Sequence, residues 1–564
     1  MRKLLTGAIA LFVLISFVAS RAETRSPKQD ISRNLDIFTS IYKELQTAYV
    51  DSIDVNKSMR TAIDAMLNRI DPYTEYIPED EQEDFMTIST GEYGGIGSYI
   101  GFRDGKYTYL SEPQAGSPAI KAGLKAGDRI ITLDGDTMVG LDIEKVRGRL
   151  KGEAGTNVVM TVSRPYGAAD GGDSIMTFTV TREKINIDPV PYYGIVRDSI
   201  GYISLTTFNE KSADQVRDAL IELKKDPRLK AVLLDLRGNG GGLLESAVRI
   251  VGWFVPKGTE VLRTRGRSVI NEKVYKTTNK PIDTEIPRFV AVDGGSASAS
   301  EIVTGALQDL DRAVIVGNRS FGKGLVQSTR QIPYNGMLKI TVAKYYIPSG
   351  RLIQAIDYSR RNPDGSVARI PDSLTNVFNT AGGRVVRDGG GITPDVTVKY
   401  PEANRLVYNI VRGLWAFDYA TKYATQHDSL PSPETLEITD SMYADFKRFI
   451  DPERLQYDKV CEIVIGQLEE AAKNEGYMND SVQAQINVLK GLLHHNLNKD
   501  LDHNRDEISG YLESELAGRY YIKDGNTRVA LKADPVVDSV MSVIRETGRY
   551  KSILAPRPVS KDKK

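Results

Sequence analysis

The stretch Phe289-Val-Ala-Val-Asp-Gly-Gly-Ser-Ala-Ser-Ala-Ser-Glu-Ile-Val303 holds the pattern from which the fold is read. Its apolar run stops at Asp293-Gly-Gly295. Ile302, Val303, Ala306, Leu307 and Leu310 then recur at helical spacing, which gives strand, tight turn, helix. The next apolar run, Ala313-Val-Ile-Val316, supplies a second strand, and two parallel strands joined by a helix form a right-handed crossover unit. The alternation extends upstream. Ile200–Leu205 and Ala231–Leu236 read as strands, Ala213–Lys224 and Leu243–Val251 as helices. From about 186 to 398 the spacing predicts an α/β domain on a largely parallel sheet.

In such a sheet, ligands gather at the edge where the strands end. Three loops reach that edge. The first is Arg237-Gly-Asn-Gly-Gly-Gly242, whose glycines let backbone N–H groups approach a ligand; it lacks the GK[ST] ending of a phosphate loop. The second carries Ser298, which with Glu301 fits the S-x-x-E capping box. The third, Gly317-Asn-Arg-Ser-Phe-Gly-Lys-Gly324, carries Lys323. Ser298 reads either as an ordinary helix N-cap or as a nucleophile whose oxyanion would meet free N–H groups at a helix start. Lys323 reads either as a solvated turn lysine or as a base. All four histidines (His427, His494, His495 and His503) lie in the tail, so a Ser–His–Asp triad or a His-rich zinc site confined to the α/β domain is excluded. A neutral lysine amine is the known substitute base, and Gln327 is placed to orient it.

Five motifs in order resemble the carboxyl-terminal processing peptidases, also called tail-specific proteases. They are Leu-Asp-Leu-Arg-Gly-Asn-Gly-Gly-Gly at 234–242, Gly-Ser-Ala-Ser-Ala-Ser-Glu at 295–301, Phe-Gly-Lys-Gly-Leu-Val-Gln at 321–327, Lys-Tyr-Tyr-Ile-Pro-Ser-Gly-Arg at 344–351, and Gly-Gly-Ile-Thr-Pro-Asp at 390–395. Lys323 follows Ser298 by 25 residues, the family's spacing. The resemblance implies Ser298 as nucleophile, Lys323 as general base and Gln327 as its orienting residue. It also implies an oxyanion hole from the Ala299 N–H and a glycine N–H of 240–242, with Gly241 expected, and a crotonase-like α/β superhelix as catalytic core. The segment Ala355–Arg387 looks longer than in simple members and is read as a cleft gate.

Residues 91–185 resemble a PDZ domain. Tyr93-Gly-Gly-Ile-Gly97 is similar to its carboxylate-binding loop, so Gly94, Gly95, Ile96 and Gly97 are expected to hold a peptide C-terminus, and Ser98–Phe102 to pair with that peptide. Ser117–Asp128 and Ile130–Gly135 continue the pattern. A small β-domain with a Gly turn and no ligand is the plainer alternative. Lys151 is read as a contact to the catalytic domain.

The rest of the sequence bounds these readings. Its 564 residues are 26% charged and 41% hydrophobic, with 74 basic and 74 acidic side chains. That balance gives no attraction to nucleic acid. Arg2 and Lys3 before the apolar run Leu4–Val18, with Ala19, Ser20 and Ala22 after it, read as an export signal cut after Ser20 or Ala22, and otherwise as an uncleaved anchor. Leu35, Phe38, Ile41, Tyr42 and Leu45, then Met59, Ala62, Met66 and Ile70, predict helices near the N-terminus. Amphipathic helices fill the tail, including Val407–Ala416, Tyr443–Ile450 and Val482–Leu493. Cys461, the single cysteine, permits no intrachain disulfide and is expected to be buried.

The expected layout is a signal peptide at 1–22, a helical region at 23–90, a PDZ domain at 91–185, a peptidase domain at 186–398 and a helical domain at 399–564. The function expected is that of an exported, periplasmic or envelope serine endopeptidase acting on proteins with free C-termini. No metal or organic cofactor is implied, and a homodimer through the helical flanks is expected. The alternative is a non-catalytic PDZ scaffold on a degenerate peptidase fold.

Overall fold

The computed structural model describes residues 26–168, 171–267, 272–362, 365–400 and 404–556; the expected signal segment lies outside them. The chain divides into two compact units, residues 1–76 and 77–564. In the first, Ser26 caps the helix Pro27–Ala48, and Asp54 caps Val55–Asn68. The Tyr42 hydroxyl ties the two helices together, donating to the Val55 carbonyl at 2.9 Å. Ile31, Leu35, Phe38 and Ile41 lie exposed on one face of the first helix. The expected helical stretch 23–90 is therefore divided, because its last helix, Gln82–Thr90, belongs to the second unit.

The second unit is built on a six-stranded sheet whose spatial order follows the sequence: β1 (Tyr193–Val196), β2 (Ile200–Ser204), β3 (Ala231–Asp235), β4 (Arg288–Val292), β5 (Val314–Gly317) and β6 (Val396–Thr397). β1 is antiparallel to β2, and the other pairs are parallel. All five residues of β3 are buried, as expected of a parallel strand covered on both faces. Its alternate side chains serve two cores. Val232 and Leu234 pack with α1 (Ser212–Leu223), α2 (Leu244–Gly252) and α3 (Ala299–Asp309) through Val216, Leu220, Ile250, Val303 and Leu307. Ala231 and Leu233 belong to a second core with Val536, Val537 and Val540 of α4 (Pro535–Arg545).

That second core corrects the far end of the expected helical domain, 399–564. Residues Leu406–Val529 form a helical body with its own core. Beyond it, Leu531–Leu554 covers the sheet and is part of the α/β unit. A parallel sheet must bury both faces, and the cover for this one comes from the far end of the chain. In the helical body the expected run Val407–Ala416 is broken at Leu414, which has φ 59° between helices Arg405–Arg412 and Trp415–Gln426. Cys461 is exposed, not buried. It lies on the helix Val460–Asn474, whose one buried residue among those described is Ile465.

Residues 92–186 form the β-domain. Its main sheet runs Ser98–Arg103, Tyr107–Pro113, Arg129–Leu133, Asn157–Arg164 and Ser174–Thr181, with Asp136–Thr137 attached. Ile96, Leu110, Leu124, Ile130, Val146 and Val158 are in its core. The strand Ser98–Arg103 stands at the edge of the sheet, beside the helix Ile143–Leu150. The Arg103 guanidinium pairs with Asp418 at 2.7 Å, which docks the domain on the helical body.

Candidate active site

Ser298 sits where β4 turns into α3, with φ 56° and ψ −113°. An ordinary N-cap has extended backbone angles. A non-glycine residue in this region carries roughly 1–3 kcal/mol of strain and persists only where its surroundings enforce it. The enforcing contacts tie the serine turn to the glycine loop after β3. Asp293 Oδ1 accepts the Gly238, Gly295 and Ser296 N–H groups at 2.9, 2.9 and 3.1 Å. Buried Ser296 donates its hydroxyl to the Leu236 carbonyl at 2.8 Å. The Tyr345 hydroxyl holds the Ser298 carbonyl at 3.3 Å.

Glu301 joins this turn to the lysine loop. Its carboxylate is fully buried and faces four donors. Oε1 accepts the Ser320 hydroxyl and the Gly322 N–H, both at 2.6 Å, while Oε2 accepts the Ser298 N–H and the Lys323 N–H, both at 2.9 Å. The backbones of Ser298 and Lys323 thus converge on one oxygen atom. Burial pushes the Glu301 carboxyl above its usual range, against the pull of these donors. Three of the four partners are backbone N–H groups, which can only donate, and an ionised carboxylate accepts from all of them. In the sequence Glu301 is legible as half of a capping box; its second role, toward residues 320–323, depends on a loop that follows the next strand.

Lys323 is half-buried between β5 and the strand Leu325–Gln331. Gln327 lies on that strand and donates to Thr341 Oγ1 at 3.2 Å. The segment read as a gate is fastened over the lysine loop. Ala355 N–H donates to the Gly322 carbonyl at 2.8 Å, and Arg319 grips Asp372 at 2.8 and 3.0 Å.

The glycine loop lies against the serine. A Cβ added to Gly241, at φ 106°, would meet Ser298 Cβ at 2.8 Å and the Ala299 nitrogen at 2.9 Å, so glycine is required there. The Gly241 N–H, however, donates to Asn239 Oδ1 at 2.9 Å, and the expectation that it faces an oxyanion is corrected on that ground. Its neighbour is the available group. The Gly241 carbonyl accepts the Phe208 N–H at 3.1 Å, and in a planar trans peptide the Gly242 N–H then points the opposite way. Among the described residues, neither the Gly242 N–H nor the Ala299 N–H has an intramolecular acceptor. Arg237, in the same loop, bridges Asp235 at 3.0 Å and Asp534 at 2.6 Å. Those two carboxylates outweigh burial and hold the guanidinium charged.

The four residues expected at the peptide terminus divide. Gly94 and Gly95 belong to the strand Glu92–Gly95, and Gly94 has no side chain because the Gly152 carbonyl would lie 2.1 Å from its Cβ. Ile96 and Gly97 form the turn. Their carbonyls accept the Ala119 and Gln114 N–H groups at 2.9 Å each. By the same planarity, the Gly97 and Ser98 N–H groups point away from those partners. Lys151 pairs with Asp84 on the helix Gln82–Thr90, not with a residue of the α/β domain, which corrects that expectation.

A serine on a strained strand-to-helix turn and a small β-domain with an open sheet edge are the arrangement of a serine-type protease joined to a peptide-recognition fold. The comparisons with known proteins are specific. Residues 199–365 match Peptidase family S41, residues 109–164 match the PDZ domain, and residues 406–544 match the C-terminal helical domain of probable PDZ-proteases. The carboxy-terminal-processing protease of Bartonella bacilliformis is 35% identical over 359 residues, covering 63% of this chain and 81% of the relative. A probable CtpA-like serine protease of Staphylococcus aureus is 30% identical over 480 residues, 84% of each chain. The photosystem II D1 C-terminal processing protease is 28% identical, over 64% of this chain and 86% of that one, at a TM-score of 0.35. This chain belongs to peptidase family S41 and is a serine-type protease.

Proposed function

We propose that Ser298 is the nucleophile and Lys323 its general base. The observation that carries this reading is the strained Ser298 backbone whose N–H shares Glu301 Oε2 with the Lys323 N–H. The neutral lysine amine takes the serine proton as Oγ attacks the peptide carbonyl. The amine then protonates the leaving nitrogen, and an acyl-enzyme forms. Water, deprotonated by the same amine, releases the new C-terminus. Gln327 orients the amine. The tetrahedral oxyanion is received by the Ala299 and Gly242 N–H groups. The strands in sequence order, with α1 to α3 packed in one core, support a crotonase-like superhelix for this domain.

The substrate's C-terminus docks on the PDZ domain. The Gly97 and Ser98 N–H groups take its carboxylate, and the edge strand Ser98–Arg103 pairs with its last residues. Amidating a substrate's C-terminus removes a charge-assisted hydrogen bond of about 1.5–3 kcal/mol, so cleavage is expected to slow roughly ten- to a hundredfold. Paired kinetics on acid and amide forms of one peptide measure this; equal rates mean the turn is structural. Export to the periplasm or envelope rests on the Arg2–Ala22 pattern, and self-association on the apolar face of Pro27–Ala48. Sequencing the mature N-terminus and light scattering on the intact mature chain test these two readings. An intact Met1 on soluble cytoplasmic protein removes the first, and a monomer the second.

A further inference from the structure

Asn239 lies in the glycine loop and is wholly inaccessible. A buried carboxamide is costly unless its atoms are bonded, and the bonds made here all go to the walls of one site. Oδ1 accepts the Gly241 N–H at 2.9 Å, and Nδ2 donates to the Leu205 carbonyl at the end of β2 at 2.7 Å. The residue's own carbonyl accepts the Ala297 N–H at 3.0 Å and the Ser300 hydroxyl at 2.7 Å. Ala297 and Ser300 flank Ser298 and Ala299 in the chain. One residue therefore fixes the loop that presents the Gly242 N–H and the turn that presents the Ala299 N–H.

We propose that Asn239 is the positioning residue of the oxyanion site, setting the spacing of its two backbone donors. This rests on Ser298 being the nucleophile. Gly241 explains why a side chain is needed. Its Cα lies against Ser298, and with its N–H left free the glycine's backbone freedom would let the peptides on either side of it turn. Oδ1 occupies that N–H, and Phe208 N–H occupies the Gly241 carbonyl, so the Gly242 N–H is held in one direction. Oxyanion donors act because they are already aimed before reaction, and a displacement of about 1 Å near the reacting atoms can cost 100-fold. The position calls for an acceptor and a donor at the end of one short side chain. Asparagine provides both, whereas an ionised aspartate keeps the acceptor and loses the donor.

The test compares the full chain with Asn239→Asp and Asn239→Ala, using a peptide aldehyde and the matching peptide alcohol. The Ser298 hydroxyl proton passes to the Lys323 amine as Oγ bonds to the aldehyde carbon, the C=O becomes a single bond, and its oxygen takes the oxyanion's place; the alcohol binds without this step. The ratio of the two affinities reports the donors and is independent of how much protein is folded. It is expected to fall about 100-fold in Asn239→Ala and less in Asn239→Asp, with kcat falling in step and KM held. A ratio equal to wild type in both variants means a structural role alone and overturns the proposal. If neither variant folds, a crystal structure of the wild-type adduct decides. The adduct oxygen is expected on the Gly242 and Ala299 N–H groups, with Asn239 still on Gly241. Its placement on the Gly241 N–H overturns the proposal. Absence of any Ser298 adduct in the wild type, seen by mass spectrometry, removes the nucleophile itself and the proposal with it.

Discussion

Ser298→Ala is expected to lower kcat by at least about 10⁴-fold, the scale seen when a member of a nucleophile–base unit is lost. Its thermal midpoint should stay close to that of the parent. The substitution removes one hydroxyl from a half-buried position and leaves the φ of 56° for alanine to adopt at the same cost. Ser298→Gly separates chemistry from strain. Glycine enters positive φ freely, so this variant should be equally inactive yet more stable, by an amount on the order of 1 kcal/mol. Lys323→Arg should be as inactive as either, because a guanidinium stays protonated and accepts nothing from serine. Hydrolysis of an unstructured protein with an apolar C-terminus is the assay, with calorimetry beside it. Activity within tenfold of the parent in either Ser298 variant, or an active arginine variant, ends the dyad assignment.

The local pattern of the α/β domain was legible because both faces of its strands are covered. Ala231–Leu234 and Phe289–Val292 are short uninterrupted apolar runs, and such runs bounded by Gly-rich turns read as buried strands. The placement of Ser298 and Lys323 on neighbouring loops followed from the same alternation. Four things were not legible. The commitment of the Gly241 N–H to Asn239 depends on the direction of single peptide planes, which composition does not encode. The fastening of Ser298 to Lys323 through Glu301 depends on which way a buried side chain points. The exposure of Cys461 could not be told from burial, because an arm with apolar residues left outside has the same spacing as one packed inside. The role of the last helices was missed for another reason. Strands β2 to β5 and the helix that covers them lie more than 200 residues apart in sequence, and local spacing carries no information about such a partner.

That long-range cover predicts the outcome of truncation. A chain ending at residue 530 is expected to lose the fold of the α/β unit, although it keeps Ser298, Lys323, Gln327 and every strand of the sheet. The segment removed contributes Leu531, Val536, Val537, Val540, Met541 and Val543 to the core with Ile200, Tyr202, Ala231, Leu233, Phe289, Ala291, Val314 and Val316. Burying an aliphatic side chain contributes roughly 1.5–3 kcal/mol. Six of them together match the whole net stability of an ordinary domain, about 5–15 kcal/mol. Truncation also removes Asp534, which caps α4 through the Val536 N–H at 2.8 Å and holds Arg237 of the glycine loop. The site is therefore affected even where the sheet survives. Asp534→Ala separates the two effects. It leaves the apolar cover in place, so the chain should fold with a modestly lowered midpoint, while Arg237 loses one of its two carboxylates and kcat falls. Circular dichroism melting and peptidase assays on the parent, the truncation and Asp534→Ala give the comparison. A truncated chain that melts cooperatively near the parent's midpoint and cleaves substrate would show that the terminal helices are dispensable and that the sheet's second face is covered some other way.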